Sequence, residues 1–138
     1  AGSQPVRGLL DTSVVVALPG ITDAAALPAE PLISAVTLAE LSVGPLVAQD
    51  PLETARRQML LQQVESDFDP LPFDSACART FGLVAASLRS RGRKVTARAY
   101  DALIAATALA HDLPLYTANP VDFDGVPGLD VREVVPGD

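Results

Sequence analysis

The chain has one cysteine, one histidine, one methionine and no tryptophan among its 138 residues, so several common chemistries have little to work with. With a single cysteine, Cys77, no internal disulfide can form and no Cys-based metal site is expected, and this fits a reducing compartment. Its setting, Ser75-Ala76-Cys77-Ala78-Arg79, predicts a buried helical position, and a thiol nucleophile there would have only His111 for a base. Aromatic residues make up 4% of the chain, so the core must be aliphatic, and no aromatic platform for stacking bases is visible. Long apolar runs are missing as well. Residues 102–106, resumed at Ala108 after Thr107, fall far short of the roughly 20 residues a bilayer span needs. No basic-then-apolar signal segment opens the sequence, and Ala1-Gly2-Ser3 without an initiator Met reads as a cloning remnant, so a cytoplasmic protein is expected.

Hydrophobic residues make up 49% of the chain, without repeats or low-complexity tracts, and this predicts a globular fold. A single domain spanning 1–138 is expected, since a chain of this length buries roughly two-thirds of its unfolded surface. The net charge of -7 argues at first against nucleic acid, which is held largely by Lys and Arg. The distribution says otherwise. Basic residues concentrate between Arg56 and Arg98, with Arg89, Arg91, Arg93, Lys94 and Arg98 close together, while the acids populate both ends. The run is either a solvated helix end and loop or a patch that steers phosphates, Arg89, Arg91, Arg93 and Lys94 being the candidates.

Strand-like and helix-like segments alternate. Residues 6–10 read as a strand passing into a helix over 14–18, and residues 32–36 as a second strand followed by a helix from Thr37 to Val43. Asp50-Pro51-Leu52-Glu53 is a strong helix start, with an N-cap acid and proline at the first helical position, and periodicity continues to about Phe68. Residues 70–73 form a brief extended segment. Asp74 then caps a helix ended by Gly92, an alanine-rich helix covers about 99–112, and strands follow at 113–116 and 131–135. The pattern predicts an α/β fold: a central parallel sheet of about five strands, helices on both faces, and ligands outside the carboxyl ends of the strands.

Each acid at that rim has a plain structural explanation. Asp11, at the end of the first strand, can cap the next helix; Thr37-Leu38-Ala39-Glu40 is a capping-box pattern; Asp101 suits the dipole at a helix start. Asn119 and Asp122 stand in a turn sequence, where side-chain bonds to backbone are routine. Together they are harder to dismiss, because all fall at one edge of the sheet. Crowded carboxylates raise one another's pKa and are costly without a cation among them. Oxygen ligands lacking His or Cys select a hard ion, Mg²⁺ or Mn²⁺, and such ions keep water in their shell.

Leu10-Asp11-Thr12-Ser13, Thr37-Leu38-Ala39-Glu40-Leu41, the segment from Asp101 to Leu109, and Thr117-Ala118-Asn119-Pro120-Val121-Asp122-Phe123 occur in this order and at this spacing. In these motifs the sequence resembles the PIN-domain ribonucleases, and more closely the VapC toxins of type II toxin-antitoxin pairs. The resemblance spans nearly the whole chain and implies a three-layer PIN-like fold. It implies Asp11, Glu40 and Asp101 as core acids, with Asn119 or Asp122 completing a site for Mg²⁺ or Mn²⁺, and Ser13 as a supporting hydroxyl. The implied activity is that of a toxic endoribonuclease in which a metal-activated water attacks a phosphodiester of tRNA or rRNA, leaving a 5′-phosphate and a 3′-hydroxyl. The implied partners are a cognate VapB-type antitoxin over the active-site groove and a second copy in a homodimer.

His111 stands alone, without the paired acid and base common in 2′-hydroxyl chemistry, and reads as a surface helix-end residue. A Mg²⁺-binding phosphoacceptor signalling domain would share this layout but wants a lysine after a late strand, whereas the sole lysine, Lys94, precedes the Asp101 helix. A catalytically silent protein-binding module would have little reason to keep Asp11, Glu40 and Asp101.

Overall fold

The computed structural model describes residues 6–94 and 98–136; the reading of Ala1-Gly2-Ser3 lies outside them. Four parallel strands, β1 (Arg7–Leu10), β2 (Glu30–Leu32), β3 (Leu115–Thr117) and β4 (Val131–Glu133), form a sheet in the order β2-β1-β3-β4. Around it run α1 (Thr12–Ala17), α2 (Ala35–Val47), α3 (Pro51–Asp67), α4 (Ser75–Ser90) and α5 (Ala99–Ala110).

Period-two alternation builds two cores from adjacent residues. Leu9 and Leu115 face Val36, Ile104, Ala105 and Ala108, while Leu10 and Tyr116 face Val14, Val15, Leu41 and Val64. Both faces of the central strands are therefore covered, and each fully buried Leu or Ile contributes about 1.5–3 kcal/mol relative to exposure. The alanines of α5 let α4 approach closely, with Val84 and Leu88 against Ala102 and Ala106.

Two expectations need correction. The sheet has four strands, not about five, because the extended segment at 70–73 makes only a single parallel bridge between Leu71 and Ser34. Leu71 donates to Ile33 O and accepts from Ala35 N, but Pro70 and Pro72 have no N–H with which to extend a ladder. The second strand also ends earlier than expected. The Ser34 side chain accepts from Thr37 N at 3.1 Å and caps α2, so the cap is Ser34 rather than Thr37, and Glu40 sits beyond the first turn with no capping role. The other helix starts stand as expected: Asp11, Asp50 and Asp74 each accept a backbone N–H as N-cap. Gly92, at φ +77°, follows the end of α4 in the left-handed conformation that glycine tolerates.

Candidate active site

Register brings the first pieces together. Leu10 pairs with Tyr116, so the next residues, Asp11 and Thr117, emerge side by side from β1 and β3 at the carboxyl edge, where the strand order reverses. Asp11 is buried, and three donors fix its carboxylate: Ser13 Oγ at 2.6 Å and Val14 N at 3.1 Å on Oδ1, and Thr117 Oγ1 at 2.6 Å on Oδ2. Asp11 is thus a helix cap and a rim carboxylate at once. Ser13 also accepts from Ala118 N at 3.0 Å, which ties the loop after β3 to the start of α1.

Glu40 projects from α2 toward the same edge. Thr12 Oγ1 lies 2.7 Å from Glu40 Oε1 and 3.1 Å from Thr37 Oγ1; a hydroxyl donates once, and the carboxylate is the stronger acceptor. Burial raises the Glu40 pKa, the Thr12 bond opposes the rise, and the charge of Asp11 adds to it.

Asp101 occupies the first turn of α5. Its pKa is pushed up to about 6, first by burial and then by the charges of Asp122, Glu40 and Asp11, with Arg98 opposing. All four acids therefore share one electrostatic environment. Arg98 pairs with Asp122 and lies 3.9 Å from Asp101. Asp122 is carried by a short 3-10 turn, Pro120–Phe123, and the side chain of Asn119 is exposed and makes no cap bond there. Among the described residues the four carboxylates do not close into a tight triad of oxygens; they face one another at Coulombic range. The donor set is all oxygen, anionic and partly desolvated, which fits a hard divalent cation.

The basic run divides. Arg93 and Lys94 line a cleft with Arg98, Asp101, Asp122 and Phe123, so they border the acids. Arg89 is exposed in the last turn of α4, and the Arg91 side chain runs past the backbone of Gly125. Sequence reasoning gave no role to Thr12, Thr117 or Arg98, although both threonines lie inside motifs already recognised. His111 is at a helix end as expected, capping α5, but it is half-buried rather than on the surface.

The family model for the PIN domain matches residues 8–129. Ribonuclease VapC5 of Mycobacterium tuberculosis is 36% identical over 135 residues, covering 96% of this chain and 97% of that protein. The tRNA(fMet)-specific endonuclease VapC of Shigella flexneri is 35% identical over 97 residues, or 70% of each protein. The crystal structure of VapBC-5 from Mycobacterium tuberculosis, a member of the VapBC family of toxin-antitoxin systems, contains a chain that matches with a TM-score of 0.75 and 35% identity, over 94% of this chain and 98% of that one. With the Asp11, Glu40 and Asp101 motifs in one rim, and with VapC5 and the VapBC-5 structure matching nearly end to end, the chain belongs to the PIN-domain family, in its VapC branch.

Proposed function

We propose that the protein is a toxic endoribonuclease that uses Mg²⁺ or Mn²⁺ and is neutralised by a VapB-type antitoxin. The observation that carries this reading is the convergence of Asp11, Glu40, Asp101 and Asp122 from four separate segments onto the rim where β1 and β3 end. PIN-domain nucleases generally depend on divalent metal, and Asp11, Glu40, Asp101 and Asp122 are the residues that would hold it here. When bound, the ion neutralises charge on the phosphate and lowers the pKa of water enough to make it a nucleophile.

The chain's own residues set the frame. Thr117, Ser13 and Val14 N hold Asp11 in one orientation, and Thr12 aims Glu40. Arg93 and Lys94 draw the RNA backbone toward the acids, and Arg98 offers a further phosphate contact. Asn119, exposed beside Asp122, can orient a polar group of substrate by hydrogen bonds. Hydrolysis in this frame leaves a 5′-phosphate and a 3′-hydroxyl. His111, at the opposite end of α5 from Asp101, has no part in it.

The relative from Shigella flexneri is named for tRNA(fMet), and structured RNA such as tRNA or rRNA is the substrate class we propose. The antitoxin's place is the groove between α2 and α3 that opens at Glu40, lined by Val16, Leu41, Gly44, Arg57 and Leu60. The same helices expose Val43, Leu46, Val47, Leu52 and Met59, an apolar surface of the kind that partners cover. A homodimer is the proposed working form. The proposed compartment is the cytoplasm; among the described residues no helix is long and apolar enough to cross a membrane.

Brief induction in cells followed by sequencing of RNA 5′ ends tests the reading, with Asp11→Asn as control. New 5′-phosphate ends at a small set of sites, absent with Asp11→Asn, are expected. Identical ends from both proteins would refute it.

A further inference from the structure

A second group of ligating side chains lies at the far end of α5, about 15 Å from Asp101 at 1.5 Å per helical residue. Asp74, Cys77 and His111 offer a carboxylate oxygen, a thiol sulfur and an imidazole nitrogen, all within 4.8 Å of one another. They meet because the start of α4 packs against the end of α5. Among the described residues this is the only such group of three.

Two features set it apart from an incidental contact. The Nε2 atom of His111 is enclosed and has no hydrogen-bond partner among the described residues, a state that buried polar atoms seldom occupy without a reason. Cys77 Sγ makes only weak contacts among the described residues, a long 3.8 Å approach to Pro72 O and interactions with the side chains of Asp74 and Thr107, and the Asp74 interaction is with its neighbour in the group itself. Asp74 uses Oδ1 to accept the Cys77 N–H at 3.0 Å, and this capping bond fixes the carboxylate beside the sulfur.

We infer that Asp74, Cys77 and His111 form a binding site for a borderline-soft divalent cation, Zn²⁺ above all, separate from the oxygen-only rim. Sulfur, nitrogen and oxygen from three side chains are a zinc donor set, with a fourth position left to water, whereas Mg²⁺ prefers oxygen and resists such a site. On binding, the Cys77 S–H bond breaks, its proton passes to solvent, and a sulfur–metal bond forms. Burial pushes the free thiol's pKa up. Exposed Asp74 and half-buried His111 provide the entry path to the buried sulfur. A bound ion would clamp α4 to the end of α5, the helix whose other end carries Asp101.

Titration of the purified, chelator-stripped chain with CoCl₂ tests the site, because cobalt reports its ligands by colour. Wild type should show a near-ultraviolet sulfur-to-cobalt band and intense visible bands of a four-coordinate ion at one cobalt per chain. ZnCl₂ should abolish them and excess MgCl₂ should not. Asp11→Asn should leave the spectrum intact, because that residue belongs to the other site. Cys77→Ser should lose the near-ultraviolet band and His111→Gln the intense visible bands. Should Cys77→Ser fail to fold, the half-buried His111→Gln decides. A wild-type spectrum with no sulfur band, displacement by Mg²⁺, or full cobalt affinity in His111→Gln would overturn the assignment.

Discussion

Thr117 Oγ1 donates a 2.6 Å hydrogen bond to Asp11 Oδ2, joining residues 106 positions apart in the chain. Both are buried, and the same hydroxyl oxygen accepts Asn119 N–H at 3.0 Å, so one threonine orients the first acid and the turn that carries Asp122. Thr117→Val keeps the shape and removes the hydroxyl. It should cost about 1–3 kcal/mol, the usual penalty for leaving a buried polar group unpaired, and should slow cleavage. Urea unfolding and a cleavage time course check the two halves; unchanged stability would mean that Asp11 is oriented by Ser13 and Val14 N alone.

Asp11→Asn and Asp101→Asn should each abolish RNA cleavage and growth inhibition while leaving the far-UV circular dichroism unchanged. Each removes a charge and almost no volume. Glu40→Gln should be severely impaired, since Thr12 can still bond the amide oxygen but the negative charge is gone. A purified Asp11→Asn or Asp101→Asn variant that cleaves at the wild-type rate would remove that residue from the site.

The acids were legible from the sequence because alternating strands and helices force the strand ends onto one rim, and because their motifs resemble a known family. What holds them was not. Thr117 meets Asp11 only through the pairing of Leu10 with Tyr116, a register that sequence spacing does not set. The capping box at Thr37 was a false match, since Ser34, three residues earlier, wins the cap and releases Glu40 toward the rim. The fifth strand shrank to a single bridge because Leu71 lies between Pro70 and Pro72, which have no N–H with which to carry the ladder further. Cys77 was correctly placed as buried and helical, but its approach to His111 depends on how α4 and α5 pack, which neither residue's neighbours reveal.

The basic cleft gives a graded expectation. Replacing Arg89, Arg91, Arg93 and Lys94 together by Ala should weaken RNA binding and flatten its salt dependence, with the Mg²⁺ response intact. Arg93 and Lys94, which line the cleft beside Asp101, should account for most of the change. Binding isotherms across a salt series check this, and an unchanged slope in the quadruple variant would return the run to solvated surface.

Asp101 makes stability without metal depend on pH in a specific direction. Its pKa in the fold is pushed up to about 6 from an ordinary 3.8, so the folded state holds this proton more tightly than the unfolded chain does. The associated stability is fully present below the ordinary value and is lost as pH rises through about 6. In EDTA, the wild type should therefore lose ground to Asp101→Asn over that interval, and Mg²⁺ affinity of the wild type should rise across it. Paired melts at several pH values check the first and calorimetric titration the second; a difference between the two proteins that stays constant with pH would contradict the shift.

Thermal melts of wild type and Asp101→Asn, in EDTA and across a Mg²⁺ titration at fixed ionic strength, decide whether Asp11, Glu40, Asp101 and Asp122 form a divalent-metal site. Repulsion among the acids should make the variant melt at or above the wild type in EDTA. Added Mg²⁺ should then stabilise the wild type by mass action, by about 2.7 kcal/mol at a hundredfold excess over the dissociation constant, and stabilise the variant less. A wild type that gains nothing from Mg²⁺, or a variant that gains as much, would contradict the account and leave Asp101 as a helix-start acid stabilised by the dipole of α5 alone.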